Sequence, residues 1–128
     1  MPDSHQLGDL QLAIMRVLWE REEASASDVH AALLEERGLA VTTIKTMLRK
    51  MEDRGVVAHR ENGRQFIYRA RIAESEVRHG MVGDLLRRLF AGDGAALVNH
   101  LIEAGSVDAR ELDELKARLA DKRGKRRR

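Results

Sequence analysis

Apolar residues recur along this chain in six stretches with helical spacing and one stretch of alternation. From about Gly8 to Arg21, Leu10, Ile14, Val17 and Leu18 share a face, with Trp19 at its border. A second helix is expected from about Asp28 to Arg37, with Val29, Ala32 and Leu33 inward. Ser25 followed three residues later by Asp28 has the form of a capping box, and Gly38 suits the left-handed residue beyond the helix end. A third helix begins between Val41 and Thr43 and ends near Arg54, before Gly55. Ile44, Leu48 and Met51 face the core with Met47 beside them, while Thr42, Lys45, Thr46, Arg49 and Lys50 occupy the opposite face.

The alternating stretch follows. Val56 to Glu61 and Arg64 to Ala70 flank Asn62-Gly63, a pair suited to a type I′ hairpin turn. A two-residue turn there pairs Glu61 with Arg64, His59 with Phe66 and Val57 with Tyr68, and places these six on one face. Val57, Phe66 and Tyr68 make that face largely apolar, so it is expected to pack on the helices. Arg60, Gln65 and Arg69 fall on the other face, with Ala58 and Ile67. Three helices followed by a hairpin give a winged helix-turn-helix, with the third helix as recognition element.

The remainder is helical. Val77, Met81, Leu85, Leu86, Leu89 and Phe90 line one side of a helix over 74–90 that Gly80 and Gly83 interrupt. Leu97, Val98, Leu101 and Ile102 mark a helix over 95–104, and Leu112, Leu115 and Leu119 a last one over 109–122, opened by Asp108 with Glu111. About 50 residues of amphipathic helix make a marginal core alone. The expectation is a homodimer paired through Val77, Met81, Leu85, Leu89, Leu97, Leu101, Leu112 and Leu115. The alternative is that these helices fold back on the winged domain. The expected organisation is a mainly α chain with a small β-hairpin: a DNA-binding domain over 1–71, a helical dimerisation region over 72–121, and a basic disordered tail over 122–128.

Charge changes the picture because of where it sits. The net charge is only +2, but residues 42–70 carry +4 between acidic segments of −5 (1–41) and −3 (71–121), and 122–128 carry +6. A basic patch on an acidic body is the footprint of a duplex-DNA partner. In the third helix, Thr42, Thr43 and Thr46 can offer hydroxyls and methyl groups, and Lys45 and Arg49 can reach purine edges or phosphates. Lys50, Arg60, Arg64 and Arg69 suit phosphates. Each has a structural competitor: Lys50 can pair with Glu52 or Asp53, and Arg64 with Glu61 across the hairpin.

The 128 residues contain no cysteine, which removes disulfides and thiolate metal sites. The histidines, His5, His30, His59, His79 and His100, show no helical ligand spacing, and neither a metal nor another cofactor is expected. No phosphate loop, zinc-peptidase or nucleophile-elbow motif is present, so an enzyme is not expected. A signal peptide is not expected and no apolar run is long enough to span a membrane as a helix, so the expectation is a cytoplasmic protein without membrane insertion. Two rival binding functions remain. A winged-helix protein-interaction module fits the acidic segments, but not the basic stretch. An RNA-binding winged helix calls for exposed aromatics around that stretch, where none is expected.

The chain resembles the BlaI/MecI penicillinase-repressor family, which includes copper-responsive CopY-type repressors. The resemblance rests on Leu7-Gly8-Asp9-Leu10 with Ile14-Met15-Arg16-Val17-Leu18-Trp19, on Thr43-Ile44-Lys45-Thr46-Met47-Leu48, and on Gly63-Arg64 with Phe66-Ile67-Tyr68. It implies a dimeric winged-helix repressor on inverted-repeat operators with TACA/TGTA-like half-sites. It also implies a membrane-bound sensor peptidase as partner, with release after cleavage in the dimerisation region, at a bond matching Asn99-His100. Family examples have an aromatic after the Asn, where this chain has His100. The cysteine pairs of copper-type members are absent.

Overall fold

The computed structural model describes residues 7–126. His5 and the last two tail residues, 127–128, lie outside the described residues. The order is α1 (Asp9–Arg21), β1 (Ala24–Ser25), α2 (Ala26–Arg37), α3 (Val41–Asp53), β2 (Val57–Asn62), β3 (Gln65–Ala70), α4 (Glu74–Phe90), α5 (Gly94–Glu103) and α6 (Ala109–Arg126). The chain divides into two compact units between Asp84 and Leu85, within α4.

The first unit is a winged helix with one core. Ile14, Met15 and Leu18 of α1, Val29 of α2, Ile44, Leu48 and Met51 of α3, and Val56 and Val57 at the start of the wing are almost fully buried together. The sequence signals at the helix ends operate as expected. Ser25 Oγ accepts from the Asp28 N–H and Asp28 Oδ2 accepts from the Ser25 N–H, each at 3.1 Å. This satisfies two of the orphan donors at the start of α2. Gly38 takes φ +58° and its N–H reaches the Leu34 carbonyl at 2.8 Å, ending α2. The Trp19 indole donates to the Ile72 carbonyl at 2.9 Å, tying α1 to the segment that leaves the wing.

Two features of the sheet depart from expectation. Ala24 and Ser25 form a strand of their own, paired with Tyr68 and Ile67, so the sheet has three strands in the order β1-β3-β2. Two residues are too few for alternation to be visible. The wing turn also lies one residue later than predicted. Asn62 pairs with Gln65, Glu61 with Phe66 and His59 with Tyr68. The loop residues are Gly63 and Arg64, and of these only Gly63 has positive φ, +64°, the requirement of a type II′ turn. Gly63 serves equally as second residue of one turn type or first of the other. Moving the turn by one residue changes every partner by two positions and leaves every side chain on its face. Hydrophobic alternation therefore could not choose between the registers.

The second unit comprises the end of α4, α5 and α6. Asp93 caps α5 by accepting from the Ala96 N–H at 3.1 Å. Asp108 and Glu111 cap α6 reciprocally, at 2.8 and 3.4 Å. The last helix continues to Arg126, past the predicted end at Lys122, so residues 122–126 of the expected disordered tail are helical. Its final turns carry Lys and Arg, which suit the negative end of the helix dipole. No described helix is long and apolar enough to cross a membrane.

Candidate nucleic-acid interface

The apolar face of α3 anchors the helix and thereby fixes the direction of its polar face. Ile44, Leu48 and Met51 are 1% exposed or less. Thr42, Thr43, Lys45, Thr46, Arg49 and Lys50 are all exposed on the other side. The N-cap of α3 is Ala40, which has no side-chain acceptor for the first-turn N–H groups. Thr46 Oγ1 donates to the Thr42 carbonyl at 2.9 Å. The Thr46 hydroxyl proton is thus committed, and its methyl group and oxygen lone pairs are what it presents outward.

Beside α3, a groove of about 290 Å³ separates the helix from the wing. Lys45 and Arg49 line one wall, Arg64 and Gln65 the other, and Ser25 and Ser27 lie at the α2 end. Neither competitor pairing foreseen for these cations forms. Among the described residues, no ion pair joins Lys50 to Glu52 or Asp53, or Arg64 to Glu61. Arg64 sits in the turn rather than opposite Glu61, because of the shifted register.

Arg60 is placed differently. It lies on the hairpin face opposite Phe66 and forks onto Glu23, with Nε 2.8 Å from one carboxylate oxygen and Nη2 3.2 Å from the other. This contact holds the Glu23 carboxyl below the usual range and raises the Arg60 guanidinium. A phosphate approaching Arg60 competes with a carboxylate already there.

Sequence reasoning missed the interior of the groove. Phe66 was expected to pack on the helices, yet it is 45% exposed and lines the groove with Tyr68 and Glu52. Its ring stacks on His59, whose Nδ1 is 2.7 Å from both Glu52 oxygens. Tyr68 is buried, and burial first and the Glu52 charge second push its phenol up. The signal in the sequence was position: Phe66 lies near the wing tip, beyond the reach of the helix core.

The residues assigned to pairing separate into two groups. Val77 is 1% exposed and belongs to the winged-domain core, and Met81 packs against that core. Val77 therefore has no surface to offer a second chain. Leu85, Leu89 and Leu115 are 40%, 71% and 47% exposed, and Leu97, Leu101 and Leu112 are half-buried. Asn99 and His100 are exposed within α5, where Asn99 Nδ2 lies 3.5 Å from Glu103 Oε1 and the His100 ring meets Phe90 edge-on at 6.0 Å.

The family described as penicillinase repressor matches residues 7–121. The chain belongs to the penicillinase repressor family. It is 33% identical over 118 residues to the transcriptional regulator BlaI of Mycobacterium tuberculosis, covering 91% of this chain and 84% of the relative. It is 27% identical over 110 residues to the penicillinase repressor of Bacillus licheniformis, covering 86% of each. Among solved structures, the DNA-binding domain of the repressor BlaI superposes with a TM-score of 0.53 at 30% identity, over 59% of this chain and 93% of that one. The hsRosR-SG structure superposes with a TM-score of 0.54 over 95% of this chain and 96% of that one, and at 18% identity it shares the fold alone. The family is one of transcriptional repressors, and the mainly helical winged fold of this member agrees with it.

Proposed function

We propose that this penicillinase repressor family member binds operator DNA as a homodimer and represses transcription, with α3 in the major groove and the β2–β3 wing on the adjoining backbone. The observation that carries the reading is the outward face of α3. Six polar or cationic side chains are held there by a buried apolar face, beside a groove that adds Arg64 and the hydroxyls of Ser25 and Ser27. Lys45, Arg49 and the threonines are the base-reading candidates, and Lys50 and Arg64 the phosphate contacts. Arg60 contributes less, because Glu23 already holds it.

Pairing of two copies is supported by the apolar surface of the second unit, where Leu85, Leu89, Val98, Ile102, Leu115 and Leu119 are at least 40% exposed. If a sensor peptidase releases this repressor by cutting at Asn99-His100, α5 must first unwind, since the bond lies inside the helix and proteases take extended chain.

The test is selection of genomic fragments by the purified full chain, with affinities repeated at two salt concentrations. Enrichment of an inverted repeat that stays bound at moderate salt is the expected result. Sequence-blind binding that collapses with salt overturns operator recognition and favours a protein-interaction role.

A further inference from the structure

The DNA-binding reading leaves one part of the groove without a role. Phe66 keeps 45% of its surface exposed, yet it is not loosely placed. Its ring lies on the His59 imidazole with centroids 4.0 Å apart and planes 14° from parallel. His59 is gripped by both oxygens of Glu52 at 2.7 Å, and Tyr68 packs tilted against it at 5.6 Å. Glu52 belongs to α3, so this chain of contacts links the recognition helix to the wing.

Among the described residues, Glu52 is the sole carboxylate lining a groove otherwise suited to phosphate. Its charge opposes that use, so its place there calls for a structural reason. The observed one is His59: the carboxylate holds the imidazole on which the Phe66 ring rests. With α3 in the major groove and the wing beside it, the strand between them runs along this groove. Such a strand alternates anionic phosphates with deoxyriboses that present apolar C–H faces. Arg64 matches a phosphate, and the supported ring matches a sugar.

We propose that Phe66 packs on a deoxyribose of the strand lying between α3 and the wing, and that His59, held by Glu52, is the positioning residue that keeps the ring aimed at it. The proposal rests on the DNA-binding reading above. It carries two signatures. A sugar contact conveys no sequence information, and an apolar contact releases no counterions.

The experiment uses the full chain, the recovered operator duplex and a scrambled duplex of equal length, across a salt series. Phe66→Leu is expected to weaken binding about tenfold on both duplexes, from the apolar area lost, with the slope of log K against log salt unchanged. Arg64→Ala, as the contrast, lowers that slope by about one. His59→Gln keeps a hydrogen-bonding partner for Glu52 but removes the stacked ring. It should match the Phe66→Leu loss, and the double variant should lose little more than either single change. Thermal melts check that each variant is folded. Undiminished binding by Phe66→Leu overturns the contact. A loss confined to the operator overturns the sugar in favour of a base. Additive losses overturn the positioning role of His59. If the unaltered chain binds neither duplex, the DNA reading itself fails, an outcome distinct from all of these.

Discussion

The two units use similar amphipathic helices and reach opposite states of burial. Every almost fully buried apolar residue lies between Leu7 and Val77. Beyond Gly80 no described residue is buried, α5 buries nothing, and Leu89 is 71% exposed. In the first unit, three helices and a sheet converge, so each stripe meets several others and closes one core. In the second, the stripes of α5 and α6 stay at least partly exposed among the described residues. Periodicity states that a face is to be covered. It does not state by what.

The largest effect is expected from Leu85→Asp with Leu89→Asp. If a second chain covers that face, four buried carboxylates per dimer are prohibitive, and light scattering should report monomers with operator binding lost. An unchanged dimer mass places the interface elsewhere. Next in size, Leu48→Ala should cost about 3 kcal/mol in urea unfolding through cavity formation, with a midpoint independent of protein concentration when measured on an isolated first unit. Leu89→Ala, in the full chain, should instead lower the midpoint in a concentration-dependent way, because pairing contributes by mass action. Equal, concentration-independent effects would erase the distinction between the units.

Lys45→Ala with Arg49→Ala should weaken operator binding by about 100-fold, at about 1–3 kcal/mol per base-reading contact, and leave dimer mass and melting unchanged. Retained specificity would remove α3 as the reading element. The smallest effect is at the start of α2, where Ser25→Ala should cost about 1 kcal/mol. The Ser25 backbone and side-chain hydrogen bonds hold the Asp28 carboxyl below its ordinary value of 3.8. A lowered folded value means that this contribution is present above pH 3.8 and fades as the pH falls through the lower folded value. Acid titration of unfolding should show that fade in the unaltered chain and not in Asp28→Asn.

Much of the winged unit was legible because its signals are local. The Ser25–Asp28 box, Gly38, and the split faces of α3 each act within a few residues and needed no knowledge of the rest. The strand β1 was not legible, since its two residues pair only because β3 passes beside them. The wing turn was half legible: Gly63 marked the place, but the choice between Asn62-Gly63 and Gly63-Arg64 left the faces unaltered and so left no trace in the apolar pattern. The polar face of α3 could be read residue by residue. The groove beside it could not, because Glu52, His59 and Phe66 come from α3 and both strands of the wing.

The amino-acid pattern alone was enough to specify the six helices, the Ser25–Asp28 and Asp108–Glu111 caps, the inward faces of α1, α2 and α3, and the sign of the charge near α3. These follow from spacing and from side chains bonding to nearby backbone, which are short-range effects. The packing of whole elements was needed to show that Val77 serves the winged core rather than a pairing face, that Arg60 is held by Glu23 while Arg64 is left to the groove, and that Phe66 stands supported but exposed. Each of these depends on which distant segment arrives alongside, and contacts between distant segments are set by how whole elements pack, not by the residues adjoining in the chain.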